Sequence, residues 1–297
     1  MAETTRRRAR QMWECVERYH QLCYWAPEVR DSSAAAGLRG FWMNYFATRV
    51  APLGPVPAGV VESLFFYYAP ARVRRAIPDA WTLSTPDRAL AARYDAMDQA
   101  LQRELGELAS SEAVGRSAEI VRAACDAADP VGRVLFAGWS SLDWPDEPHL
   151  ALWHGCTLLR EYRSGCHLIA LAAAGLDGCE SVVSQVAVDE APHEWIQEEA
   201  GWTEAEAAAA VERLRRRGWV DADGRATAAG LAGRAEIEAV TDRLDGAHWA
   251  VIGDKAADRL LADMAPLSAV LPKDDQLDWR ELYPPNEQPD RGESRTS

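Results

Sequence analysis

Histidine, arginine and aromatic residues that could hold a small molecule concentrate on two amphipathic segments, 6–24 and 148–163. Trp153 and Arg160 are seven residues apart, so on a helix they face the same side, with a drift of only about 20° per heptad. An arginine beside an aromatic ring can hold a planar anion by bidentate hydrogen bonding and stacking. The predicted ligand-binding residues are His20, Tyr24, Trp153, His154, Arg160, Arg163 and His167.

His167 follows a predicted helix break at Ser164 and Gly165. A histidine at the start of a helix holds its proton loosely and could face an anionic group. On an unbroken helix His154 and His167 would lie about 20 Å apart, so sharing one ligand requires a bend between them.

The histidines leave the cofactor unassigned. His20, His154 and His167 could together bind a metal ion or haem iron, but their spacing does not demand either. The sequence has no HExxH, CxxC, P-loop or GxGxxG motif, so no metal site is predicted. In the alternative interpretation, each histidine is a structural residue and Arg160, Glu161 and Arg163 form ion pairs that join the two halves.

Composition narrows the class of protein. The 297 residues are 48% hydrophobic, enough for two domains or one duplicated core. The net charge of −14 opposes non-specific binding to nucleic acid, which depends on lysine and arginine. The sequence shows no 18-residue apolar stretch and no secretory signal, and its six cysteines form no framework, which together predict a cytoplasmic protein without a membrane span.

A short repeat indicates an internal duplication. The heptapeptide AAAGLRG at 34–40 recurs as AAAGLDG at 172–178, and Tyr24 matches Tyr162 at the same offset. Two copies of one unit would form a pseudo-twofold interface within the chain. We therefore divide the chain into a first half at 1–130, a Gly/Pro/Trp-rich connector at 131–147, a second half at 148–271 and a disordered tail at 272–297.

Helical patterns dominate, and residues 194–246 add a more specific order of elements. A short helix and a turn at Gly201 precede a helix that Thr203 and Glu206 begin as a capping box. A strand at Trp219–Val220, a turn at 221–224 and a further helix follow. Helix, turn, helix, strand, turn, strand, helix is the winged-helix order.

The sequence from Glu212 to Val220, followed by that from Ala226 to Gly230, resembles the MarR-type regulators. The whole chain also resembles an actinobacterial family labelled helix-turn-helix, through YFATRVAPLG at 45–54 and the run from Leu152 to Arg163. These resemblances imply a mostly α fold: an internally duplicated winged-helix (MarR-like) pseudo-dimer in one chain with small β wings. MarR-type dimers bind small ligands between their dimerisation helices and winged-helix lobes, which implies a pocket between the halves.

The predicted recognition helix lacks residues that read bases. Its first turns run Thr203, Glu204, Ala205, Glu206, without the arginine, asparagine or glutamine that pair with base edges. Aspartates at the predicted wing tip would repel phosphates. Four arginines at the far end of the helix are the only DNA-binding candidates: Arg213, Arg215, Arg216 and Arg217.

Three functional hypotheses follow. The first is a small-molecule-binding protein with a pocket between its halves. It would have no membrane partner, and its charge disfavours nucleic acid as a partner. The second is an enzyme that acts on a small aromatic or anionic substrate in the same His/Arg-lined pocket. The third is a MarR-like transcription regulator that uses the four arginines on DNA. The sequence leaves homodimer formation and the identity of the ligand open.

Overall fold

The computed structural model describes residues 3–272, and the chain there is mostly helical. All but one residue of the tail predicted at 272–297 therefore lies outside the described residues. The helices of the first half and connector are α1 (Glu3–His20), α2 (Leu22–Trp25), α3 (Pro27–Ala35), α4 (Gly40–Val50), α5 (Ala58–Leu64), α6 (Pro70–Arg74), α7 (Asp79–Leu83), α8 (Pro86–Leu105), α9 (Glu112–Asp126) and α10 (Val134–Ser140). Those that follow are α11 (Pro148–Ala173), α12 (Gly178–Ala187), α13 (Trp195–Glu198), α14 (Glu204–Arg216), α15 (Ala228–Ile252) and α16 (Asp254–Val270). Two short 3₁₀ helices span Ala51–Leu53 and Gly106–Ser110.

Helix starts agree closely with the sequence. Thr85 caps α8 by accepting a hydrogen bond from the Arg88 N–H, and Pro86 occupies the first turn. Thr203 and Glu206 form the predicted capping box of α14. Ser111 caps α9 by accepting a hydrogen bond from the Val114 N–H.

Helix α11 lies at the centre of the molecule and packs against α1, α8, α9, α10 and α15. It is apolar around most of its circumference, which suits a helix with neighbours on several sides. One large core joins residues from the first half with α11 and with the last two helices, and includes the fully buried Trp139 and Trp153. The predicted connector contributes α10 to this core.

The predicted break at Ser164 and Gly165 is wrong, because α11 continues through both residues. Gly165 instead permits a close approach: a Cβ there would lie 2.8 Å from Cγ of Arg133. A glycine in a helix sequence can thus mark tight packing as well as a helix end. His154 and His167 consequently lie on one unbroken helix, about 20 Å apart along its axis.

A second, smaller core holds together α12, α13, α14 and the start of α15, which we call the helix-turn-helix lobe (residues 178–237). Strand pairing in its predicted wing is limited to one antiparallel bridge between Val220 and Ala226. The described part of the chain thus has almost no β-structure. Its fold class is mostly α.

The lobe is fixed to the first half by the segment 65–72, which we call the docking segment. The Ala69 N–H donates to the carbonyl of Ala200 at 2.8 Å. Trp202 Nε1 donates to the carbonyl of Tyr67, also at 2.8 Å. These bonds make the lobe part of one packed body with the first half.

No single helix within residues 3–272 is long and apolar enough to cross a membrane. Only α11 and α12 taken together reach that length and composition, and they are bent by 96° relative to each other.

Replacing Gly178 with alanine tests the docking of the lobe. An added Cβ would collide with the carbonyl oxygen of Phe66 in the docking segment, and backbone cannot move aside as a flexible side chain can. We expect Gly178→Ala to lower the free energy of unfolding by about 1–3 kcal/mol, measured by urea denaturation. Gly115→Ala in α9 is the matched control, because its Cβ would meet nothing within 4 Å and should stabilise the helix by up to about 1 kcal/mol. Equal effects of the two substitutions would contradict the close approach.

Candidate functional site

A cavity of about 960 Å³ lies between α1, α4, α11 and the helix-turn-helix lobe. Its walls are mainly aromatic and charged side chains, with the docking segment forming part of one wall. The lining residues used below are Tyr24, Tyr45, Tyr67, Tyr68, Arg160, Arg163, His167, Arg234 and Glu238.

An ion pair buried at the junction of α4 and α11 supports the cavity. Arg49 donates from Nε and Nη2 to the two carboxylate oxygens of Glu161 at 2.8 and 2.7 Å. Arg49 is 4% and Glu161 1% exposed, so water screens this pair little. Burial raises the pKa of Glu161, but Arg49 and Arg160 outweigh it and hold the pKa below its ordinary value.

Arg160 lines the cavity and has no carboxylate of its own at close range. Its Nη1 lies 3.4 Å from Glu161, whose oxygens already accept from Arg49. Its Nε lies 3.6 Å from Glu17, beyond a good hydrogen bond. Arg93 adds a further buried positive charge behind this wall, bonded to the Thr48 hydroxyl and the Cys23 thiol. Three arginines and two carboxylates give this end of the cavity a positive charge.

Tyrosine hydroxyls extend the same wall. Arg49 Nη1 donates to the Tyr45 hydroxyl at 2.6 Å, and the Tyr68 hydroxyl donates to the same oxygen at 3.0 Å. The rings of Tyr24 and Tyr45 lie 5.2 Å apart, between centroids. The wall therefore combines flat apolar faces with a positive charge, which suits an aromatic anion.

Arg163 lies about one helical turn beyond Arg160 on α11 and is neutralised by its neighbours. It donates to Asp242 at 2.7 Å and to Asp245 at 3.1 Å, and its guanidinium lies 5.1 Å from the centre of the Trp13 ring. Burial raises the pKa of Asp245 to about 7, although Arg163 acts in the other direction. Arg163 therefore serves as a link between α1, α11 and α15, in contrast to Arg160.

The structure brings four of the seven predicted ligand-binding residues to one cavity: Tyr24, Arg160, Arg163 and His167. The other three lie outside it. His20 is fully buried and bonded to Thr157 and Tyr24, at 3.0 and 2.9 Å. Trp153 is fully buried in the large core and donates to the His20 carbonyl at 3.3 Å.

His154 is the third of these, and it lies on another side of α11. Its Nδ1 is 2.6 Å from the Tyr94 hydroxyl, and its ring packs against Trp144 at a centroid distance of 4.8 Å. Burial, with a smaller effect from Arg122, lowers the pKa of His154 to about 4. Opposite orientations on one straight helix separate His154 from the cavity.

His20, His154 and His167 each have different partners, so they do not form a common ligand set for a metal or haem iron. Among the described residues, no group of three or more histidine, cysteine, aspartate and glutamate side chains could hold a metal ion.

Two of the four candidate DNA-binding arginines are occupied within the lobe. Arg213 donates to Asp177 at 2.6 Å and to Glu180 at 3.1 Å. Arg217 donates to the carbonyls of Ala174 and Gly175, at 2.6 and 2.8 Å, where α11 ends. Arg213 thus joins α14 to the start of α12, and Arg217 holds the lobe to the end of α11.

Arg215 and Arg216 remain at the surface, 44% and 64% exposed, with Glu212 3.6 Å from each.

Sequence reasoning missed several cavity residues: Tyr45, Tyr67, Tyr68, Arg234 and Glu238. Tyr45 and Arg49 had a usable signal, since they are one helical turn apart within an apolar helix, where an arginine needs buried partners. Tyr67 and Tyr68 carried none, because the apolar run 60–68 is equally consistent with core packing.

Replacing Glu161 with glutamine tests the buried ion pair. The change leaves Arg49 without its counter-charge, so we expect the free energy of unfolding to fall by about 3–5 kcal/mol in thermal or urea denaturation. Glu28→Gln is the control, since the Glu28–Arg103 pair is partly exposed at the surface and its loss should cost at most about 1 kcal/mol. Similar losses in the free energy of unfolding for both variants would show that the buried pair stabilises the fold no more than a surface pair does.

Comparison with protein-family models matches residues 9–277 to a family described as the helix-turn-helix family. None of the curated proteins and none of the solved structures matches the chain. The family match covers far more than half of the sequence and corresponds to a fold type used for DNA binding. The chain therefore belongs to the helix-turn-helix family.

Proposed function

We propose that this chain is a small-molecule-binding protein of helix-turn-helix ancestry, whose ligand occupies the central cavity between its halves. The observation that carries the proposal is the cavity itself, with Arg160 in its wall. A volume of about 960 Å³ falls within the range of about 300–1,000 Å³ typical of ligand pockets. A convergence of charged and aromatic side chains on such a space is the usual arrangement of a binding site.

The charge of the cavity wall supports an anionic ligand. Arg49 and Arg160 both contact Glu161, and Arg49 forms the shorter hydrogen bonds. The guanidinium of Arg160 therefore keeps N–H groups that can donate to a ligand in the cavity. The side chain of Arg160 is 17% exposed although it lies deep in the molecule, and this exposure is toward the cavity. A carboxylate or similar group would complete its coordination.

The cavity also supports an aromatic ligand, because tyrosine rings form much of the wall beside Arg160. Rings from α2, α4 and the docking segment surround the same space: Tyr24, Tyr45, Tyr67 and Tyr68. A flat ligand could stack on these rings while its anionic group reaches the guanidinium.

The proposal includes an internal duplication, with a first half at 1–130, a connector at 131–147 and a second half at 148–271. Local geometry supports it. Each copy of the heptapeptide contains a glycine of positive φ, 90° at Gly37 and 68° at Gly175, that ends one helix and leads to the next. Each half then closes with a long helix followed by a terminal one, α8 with α9 and α15 with α16. The cavity would lie near the pseudo-twofold interface.

We further propose that the lobe does not read DNA by base contacts. The first turn of α14 presents Glu204 and Glu206, which would repel phosphates. Alanines occupy the exposed positions beside these glutamates, at Ala205, Ala208 and Ala209, and an alanine side chain cannot pair with a base edge. Six cysteines are free thiols, which supports the cytoplasm as the compartment.

A second candidate function, a DNA-binding regulator, is favoured by membership of the helix-turn-helix family. Arg215 and Arg216 are the surface cations that would contact phosphates. Family membership specifies a fold, and function depends on the residues at the site.

Replacing Arg160 with glutamine tests the ligand site. We expect native mass spectrometry of freshly purified wild-type protein to detect a non-covalent small molecule that denaturation releases. We also expect 4-hydroxycinnamate or 2-naphthoate to stabilise the protein against heat without being converted. Arg160→Gln should weaken affinity by about tenfold or more, because a hydrogen bond to a charged group contributes about 1.5–3 kcal/mol.

The control is Arg103→Gln, which removes an arginine on the outer face of α8 and should leave affinity unchanged. Absence of any bound molecule together with no stabilisation by aromatic carboxylates would refute the proposed function. Unchanged affinity in Arg160→Gln would refute the role of the arginine.

Fluorescence anisotropy on duplex DNA tests the second candidate. At about 50 mM salt we expect no salt-dependent binding, since the acidic helix start offers phosphates no favourable contact. Salt-dependent binding that disappears in the double variant Arg215→Glu, Arg216→Glu would establish the regulator instead.

A further inference from the structure

The protonated nitrogen of His167 can be identified from its hydrogen bonds. The Thr241 hydroxyl donates its single proton to the Ile237 carbonyl at 2.8 Å. Nδ1 of His167 lies 2.8 Å from the same hydroxyl oxygen. Because the hydroxyl proton is already committed, the oxygen accepts, and Nδ1 must carry the hydrogen. Nε2 of His167 is therefore an unprotonated acceptor.

The ring of His167 stays neutral in the folded protein. Burial lowers its pKa to about 4, and the attraction of Glu238 is opposed by Arg234, Arg163 and Arg10. His167 lines the cavity, and at neutral pH its Nε2 offers a lone pair that accepts from a hydrogen-bond donor. Nδ1 of His167 also lies 3.6 Å from the Glu238 carboxylate, so the anionic group beside this histidine is one of the protein's own.

His20 has the same arrangement, and both of its ring nitrogens have a hydrogen-bond partner within the protein. The Thr157 hydroxyl donates to the Trp153 carbonyl at 2.9 Å and accepts from His20 Nδ1 at 3.0 Å. Nε2 of His20 then accepts from the phenolic hydroxyl of Tyr24 at 2.9 Å. At His20, therefore, a threonine fixes the tautomer and a phenol donates to the remaining ring nitrogen.

At His167 the corresponding place lies on the cavity. No hydrogen bond to its Nε2 is formed within residues 6–272, and the ring stacks on Tyr67 at a centroid distance of 6.1 Å. A ligand hydroxyl is the missing counterpart of the Tyr24 phenol.

Arg160 and His167 set the separation of the two ligand groups. They are seven residues apart on α11, so they face nearly the same side and lie on the order of 10 Å apart along the axis. We propose that the ligand is an extended hydroxyaryl acid, with its carboxylate at Arg160 and its hydroxyl donating to Nε2 of His167. This assignment rests on the proposed function and specifies the class of molecule that the cavity selects.

Isothermal titration calorimetry with 4-hydroxycinnamate, 4-methoxycinnamate and cinnamate tests the assignment. Wild-type protein should bind 4-hydroxycinnamate about tenfold more tightly than the methoxy compound, which has no proton to donate. His167→Phe keeps a ring to stack on Tyr67 but removes the acceptor, so it should abolish the preference while cinnamate affinity stays unchanged.

Two variants of Thr241 separate positioning from packing. Thr241→Ser retains the hydroxyl and should retain the preference for the phenol. Thr241→Val has nearly the same shape without the hydroxyl, frees the tautomer of His167 and should reduce the preference several-fold.

The outcomes distinguish this inference from the function on which it rests. Equal affinity for all three acids in wild-type protein, with weaker binding in Arg160→Gln, would overturn the hydroxyl assignment and leave the anion site intact. A preference that survives in His167→Phe would also overturn it. Binding of none of the acids would overturn the assignment, whereas a small molecule detected by native mass spectrometry would still support the ligand-binding function.

Discussion

The buried pair of Arg49 and Glu161 is the interaction on which the centre of this molecule depends. It joins α4 to α11 at a point where water cannot solvate either charge. Protein groups must therefore supply the hydrogen bonds of the guanidinium and of the carboxylate. The Arg49 carbonyl also accepts from Trp139 Nε1 at 3.0 Å, which ties α10 to the same point. The pair thereby fixes three elements relative to one another.

The same pair gives the cavity its charge. Since Glu161 is fully engaged by Arg49, Arg160 one residue earlier on α11 is only partly compensated. Burial of positive charge is costly unless a counter-charge is supplied. The ion pair that joins α4 to α11 therefore leaves a partly compensated guanidinium at the cavity, and this is the feature that the proposed function uses.

One side of the helix-turn-helix lobe forms part of the cavity wall, while its helix α14 stays largely exposed. Hydrogen bonds to the docking segment hold it against the first half, and Arg217 holds it against the end of α11. From this lobe, Gln185 of α12 and Trp195 of α13 line the cavity, whereas α14 contributes none of the lining residues. Function is then decided by which side chains face that space.

The sequence alone determined the mostly helical class and the capping box at Thr203, because periodicity and capping are local properties of the chain. It also indicated that Tyr24, Arg160, Arg163 and His167 lie on segments that meet. It could not determine that α11 continues through Gly165, since a glycine required for close packing looks the same as one that ends a helix. Nor could it distinguish Arg160 from Arg163, or His167 from His20 and His154. Identical side chains acquire different roles only when distant segments meet. Packing brings Asp242 to Arg163, Tyr24 to His20 and Tyr94 to His154, and it leaves Arg160 and His167 on the cavity. Those partners are set by tertiary packing, which alone decides which charges and lone pairs remain to meet a ligand.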